Sequence, residues 1–140
     1  MKAFEDRSLE ASRFTHQGHV ALAAVYVLRH GAAAALERLR REIPLFNVAK
    51  GGVNNQERGY HETLTVFWVL VIEETLREMT GLTEREKVNS TVERLSASGA
   101  WRDYYSFDVL KDPECRRRWV APDVRSPGTR VSGTRVGGLR

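Results

Sequence analysis

Apolar residues recur from Thr15 to Leu95 at the spacing of helices. Val20-Ala21-Leu22-Ala23-Ala24-Val25-Tyr26-Val27-Leu28 is apolar on all sides, which predicts a central, buried helix. Thr15 is a fair N-cap for it and Gly31, just after His30, a fair stop. A second helix is expected from Ala32 through Leu36, Leu39 and Ile43, kinked or interrupted at Pro44 and continuing over 45–48. The strongest pattern runs from Tyr60 to Met79, with Leu64, Phe67, Trp68, Val71, Ile72 and Leu76 on one side and Gly81 as terminator. The β-branched and aromatic residues of 65–72 would also suit a strand, but the Glu-rich flanks and the length favour a helix. Thr83 and Glu86 form a capping box for a fourth helix reaching about Leu95.

The remaining segments connect or flank these four. The first dozen residues lack periodicity and read as an arm or a single helical turn. Residues 50–59, with two adjacent glycines and two asparagines, read as the main internal loop. Four aromatics crowd into residues 101–107, more in the manner of a core lid than of a ligand pocket. A short helix is predicted from Pro113 to Trp119, capped by Asp112. From Pro122 onward Gly, Ser, Thr, Pro and Arg dominate, as in flexible segments. The expected fold is therefore all-α: a small up-down bundle of about four main helices plus a short C-terminal helix over 12–121, followed by a flexible basic tail over 122–140.

Composition changes this picture in one respect. The 140 residues suffice for one domain with one core, and no apolar run is long enough for a membrane span. The charged N-terminus lacks the apolar run of a leader, so the expectation is a cytoplasmic protein. The net charge of +4 divides unevenly: residues 1–115 carry −2 and residues 116–140 carry +6 from seven arginines and Asp123. The basic character thus belongs to the tail. A nucleic-acid reader carries it on a folded face, so nucleic acid is expected only as a weak, salt-dependent partner of the tail. A lone cysteine, Cys115, excludes an internal disulfide and reads as a small packing residue under Trp119.

Candidate chemistry rests on histidine. In an up-down bundle the first and third helices are parallel, so their N-termini meet at one end. That brings His16 and His19, one helical face apart at i and i+3, close to His61. Three neutral imidazoles suit a divalent transition metal ion with an open coordination position. Glu62 would be a fourth ligand, a general base or a partner fixing an imidazole tautomer, and Tyr60 or Tyr105 a proton or hydrogen-bond donor. Two other readings stay open: a metal-free acid–base or binding pocket, and imidazoles that merely satisfy helix ends. His30 lies about 16–21 Å along the helix from the first pair and reads as a cation near a helix C-terminus. His61-Glu62 begins like the zinc-protease helix motif, but Thr65 stands where that motif needs His. The lack of any Glu-x-x-His excludes the di-metal bundle enzymes, and P-loop, dinucleotide and nucleophile-elbow motifs are missing too.

Phe14-Thr15-His16-x-x-His19-Val20, Tyr60-His61-Glu62-Thr63-x-Thr65-x-x-Trp68, Tyr104-Tyr105-Ser106 and Val120-x-Pro122-Asp123 resemble a family of small bacterial proteins described as of unknown function. The resemblance covers about residues 13–123. It implies no activity, but it singles out His16, His19 and His61 and passes over His30. Arginine outnumbers lysine 18 to 4, in keeping with a GC-rich bacterial source. The expectation is a metal-dependent enzyme acting on a small polar metabolite. The alternative is a non-catalytic ligand-binding or interaction module with structural histidines, its groove taking a ligand or a second copy of the chain.

Overall fold

Each long helix begins and ends where a local signal allows it. In a computed structural model that describes residues 2–127, the helices are α1 (Lys2–Glu5), α2 (His16–His30), α3 (Ala32–Ala49), α4 (Glu62–Arg77), α5 (Glu84–Arg94) and α6 (Pro113–Arg117), of which α1 and α6 are short. Single 3-10 turns occupy Ala11–Arg13 and Ala100–Asp103, and no strand is formed among the described residues. The Thr15 hydroxyl accepts from the Gly18 N–H at 3.2 Å to start α2. Gly31, at a φ of 85°, ends α2 by donating to the Val27 carbonyl and opens α3 directly. Thr83 and Glu86 form the expected reciprocal capping box, and Asp112 caps α6 through the Glu114 N–H.

Pro44 does not interrupt α3, which runs unbroken through it. The missing N–H costs one helical bond, but Ile43 and Phe46 on either side are both buried, and their packing holds the helix together. The Asn54 amide also donates to the Pro44 carbonyl.

The all-round apolar α2 is the centre of the bundle and packs against α3, α4 and α5. Tyr26, Val20, Val69, Leu70 and Ile72 are almost wholly buried around it. The segment before residue 12 belongs to this core rather than lying outside it. Phe4 is 3 % exposed and packs with Phe14 and Phe46 at ring-centroid distances of 4.9 and 5.1 Å. The buried Tyr26 hydroxyl donates to Glu5 at 2.6 Å. A short arm that delivers one large aromatic ring leaves no periodicity to read in the sequence.

A second, smaller core joins Phe67 of α4 to Trp101, Tyr105, Val109 and the fully buried, free Cys115. Trp119 packs against it, as expected for a cysteine serving as a small core residue. The fold also continues past residue 121. The Val124 N–H donates to the Tyr104 carbonyl, Asp123 accepts from the Ser106 backbone and hydroxyl, and Arg125 stacks on Tyr104. Polar residues that make specific bonds look like linker composition, which is why 122–127 reads as flexible from sequence. The rest of the expected tail lies outside the described residues.

No helix among the described residues is long and apolar enough to cross a membrane.

Candidate functional site

The first turns of α2 and α4 both border a cavity of about 930 Å³, which His16, His19 and His61 line together. The C-terminus of α3, the loop over 51–59 and the turn after α5 complete the wall. His30 is exposed at the far end of α2 and lines no part of it.

The loop is held by Asn54, whose side-chain oxygen accepts from the Tyr60 N–H and the Asn47 amide. Gly59 makes that closure feasible: at its φ of 91° a Cβ would come within 2.1 Å of the Val53 carbonyl. Arg116 reaches over from α6 and donates to the Gly59 carbonyl at 2.9 Å.

The three imidazoles occupy different situations. His61 is the N-cap of α4, with a backbone in the extended region. Its Nδ1 accepts from the Leu64 N–H at 3.1 Å, and its Nε2–H donates to the Val109 carbonyl at 3.0 Å. Both ring nitrogens are therefore used, in the neutral Nε2–H form. His16 donates Nε2–H to the Leu95 carbonyl at the end of α5 at 2.8 Å, and its ring meets Trp68 edge-on. His19 donates Nδ1–H to the Thr15 carbonyl at 2.7 Å and stacks on Phe14 at 3.6 Å. Each of these two rings keeps one nitrogen, Nδ1 of His16 and Nε2 of His19, that makes no hydrogen bond among the described residues. A carbonyl that fixes the tautomer and leaves a lone pair free prepares an imidazole to accept a hydrogen bond, take up a proton or ligate a metal ion.

Burial pushes the titration of His19 below the usual histidine range, against the raising effect of the Thr15 carbonyl; the neighbouring His16 lowers it further. His61 is lowered as well, chiefly by burial and less by the Arg116 charge, with the Val109 carbonyl opposing. Both rings are thus held neutral.

Glu62 and Tyr105 stand outside the cavity. The Glu62 carboxylate is bound by Arg40 at 2.5 and 2.9 Å and accepts from the Tyr60 hydroxyl at 2.7 Å. Adjacent to His61 in sequence, it points to a different side of the helix, as the rotation per residue requires. The Tyr105 ring lies in the smaller core, and its hydroxyl donates to the Val120 carbonyl at 2.7 Å. Among the described residues no three His, Cys, Asp or Glu side chains are gathered to hold a metal ion.

Other residues of the cavity were not among the candidate site residues, although Trp68 stands in one of the resembling motifs and Trp101 in the aromatic run over 101–107. Trp68 and Trp101 contribute to its wall, and Lys50, Arg58 and Arg102 line it with exposed side chains. Each stands at an element end or in a loop, where single charges are ordinary and no spacing marks them. No protein-family profile, curated protein or solved structure matches the chain.

Proposed function

We propose that this protein binds a small molecule in the cavity between the first turns of α2 and α4, with His16 and His19 as its polar contacts and His61 as a structural residue. The observation that carries this reading is the division among the imidazoles that line the cavity: two of them have a ring nitrogen that makes no hydrogen bond among the described residues, and the third has none to spare. The volume and the mixture of an apolar wall with a few polar groups are those of small-molecule sites. Nothing in this reading requires Glu62 or Tyr105 to touch the ligand.

The unused nitrogens of His16 and His19 also favour a second reading, in which that pair holds a divalent transition metal ion and a small polar substrate completes the coordination. His61 could join only by giving up the cap of α4 or its bond to Val109. The metal-dependent enzyme then rests on two protein ligands, so the metal-free binding site is the better supported.

Dye binding to the full chain, stripped of metal with a chelator, separates the two. Nile red, a neutral dye that brightens in apolar surroundings, should bind to one site per chain. Binding should be lost in Ala23→Phe, which fills the cavity, and in Val69→Trp, a second wall position, with circular dichroism reporting whether each variant remains folded. A dye that binds only after zinc is added supports the metal site. No binding in either state, or equal binding to the wild type and a folded filled variant, overturns the proposal.

A further inference from the structure

The cavity wall contains positive and neutral groups only. Lys50, Arg58 and Arg102 line it, and no Asp or Glu does. This is unusual local company in a chain whose first 115 residues are slightly acidic. None of the three makes an ion pair among the described residues, whereas Arg40, Arg29, Arg7 and Arg77 are each matched to a carboxylate. Glu57 and Asp103 adjoin Arg58 and Arg102 in the chain but line no part of the cavity, and two other carboxylates of this region are engaged elsewhere. Glu62, behind Tyr60, is neutralised by Arg40, and Asp6, which feels the Lys50 charge, accepts from Ser8.

The cations are distributed around the opening. Lys50 ends α3, with its ammonium 5.5 Å from the Phe46 ring centroid, and Arg58 follows in the loop. Arg102 stands on the other wall, its guanidinium 4.3 Å from the Trp101 ring centroid and close over Gly99, where a Cβ would come within 2.7 Å of it. Stacking on Trp101 leaves the edge of that guanidinium, which carries its N–H donors, available. The rest of the wall is largely apolar, with Val20, Ile43, Phe46, Leu64, Val69 and Ile72, and also carries the His16 and His19 rings. The first-turn N–H groups of α2 and α4 add to the positive potential at the same end.

We infer that the ligand of this cavity is an amphiphilic organic anion, with a carboxylate or phosphate head at the Lys50–Arg58–Arg102 rim and an apolar body inside. This rests on the cavity being a binding site, as proposed above, and adds the chemistry of the ligand. A cation is disfavoured by three like charges with no carboxylate to receive it, and a neutral molecule leaves those charges unanswered.

Calorimetric titration of the full chain with octanoate, octyl phosphate, octan-1-ol and octylammonium tests it, because the four share one tail and differ in the head. Octanoate or octyl phosphate should bind about tenfold or more tightly than octan-1-ol, octylammonium should bind weakest, and added salt should narrow the gap. The order of the two anions identifies the preferred head. In Lys50→Gln/Arg58→Gln/Arg102→Gln the anions should fall to the level of octan-1-ol while octan-1-ol itself is unchanged. Lys50→Gln/Arg58→Gln, which keeps the stack on Trp101, should lose part of the advantage. Equal binding of alcohol and anions, or preference for octylammonium, overturns the anionic ligand and leaves the cavity as a binding site. Failure of all four, octan-1-ol included, overturns both.

Discussion

Replacing His61 with alanine should lower the stability of the protein by about 2–3 kcal/mol, read by denaturant or thermal unfolding. Two losses add. The α4 N-terminus loses the acceptor of the Leu64 N–H, worth about 0.5–2 kcal/mol for a helix cap. The Val109 carbonyl loses its donor in a site where His61 is 8 % exposed, so it goes without a partner at about 1–3 kcal/mol. His61→Asn should recover the first loss, since asparagine is a strong N-cap residue, but it is too short to replace the second. A metal ligand would behave differently: asparagine would be as damaging as alanine to metal content, and stability would depend on added metal. Acid should act on the wild type in the same direction. The unfolded chain takes up protons on His19 and His61 near the ordinary value of 6.5, whereas the folded chain does so only at lower pH. Below pH 6.5 the unfolded state therefore binds more protons, and stability falls as the pH drops towards the lowered folded values. Above pH 6.5 this contribution is fully present. Protonated His61 can no longer accept from Leu64, so His61→Ala should show a shallower acid loss than the wild type.

Thr63→Val should cost a comparable amount, about 2–3 kcal/mol or roughly 10 °C in Tm. Thr63 is completely buried in the first turn of α4. Its hydroxyl donates to the Arg118 carbonyl at 2.7 Å and accepts from the Val120 N–H at 3.0 Å. These bonds tie the segment after α6 to α4 and close the smaller core over Cys115. Valine keeps the shape but removes both bonds, leaving a carbonyl and an N–H beside an apolar group. Thr63→Ser keeps the hydroxyl and should lose only about 1 kcal/mol, the value of a buried methyl group. Equal stability of the valine variant and the wild type would mean that these backbone groups find water instead.

The sequence carried the fold further than the site, and the difference has a physical basis. Helix caps are local chemistry, so Thr15, Gly31, Thr83 with Glu86, and Asp112 mark boundaries that the structure reproduces closely. The all-round apolar α2 announces a central helix, and parallel α2 and α4 follow from the order of the bundle. The helix continues past Pro44 as expected and is not interrupted there, because packing on both sides of it is a tertiary effect. Phe4 and the bonds of Asp123 were hidden for a related reason, since single long-range contacts have no period. At the site, bundle topology alone places the three histidines on one cavity. What each ring does depends on which carbonyl or N–H lies opposite it, at Leu95, Thr15, Leu64 and Val109, and no spacing encodes that. Glu62 was drawn in by adjacency to His61, although a helix turns adjacent residues about 100° apart. The unpaired cations of the rim emerge only when three separate elements are brought together.

The most direct measurement is long-range proton–nitrogen NMR of the imidazole rings in the full chain, with and without octan-1-ol, a neutral ligand for the cavity. The account predicts that His61 is neutral and protonated at Nε2, with Nδ1 accepting a hydrogen bond, and that neither signal moves on binding. His16, protonated at Nε2, and His19, protonated at Nδ1, should both shift at their other nitrogen. A His61 ring that carries its proton on Nδ1, or zinc at one equivalent shifting all three rings together, would contradict it.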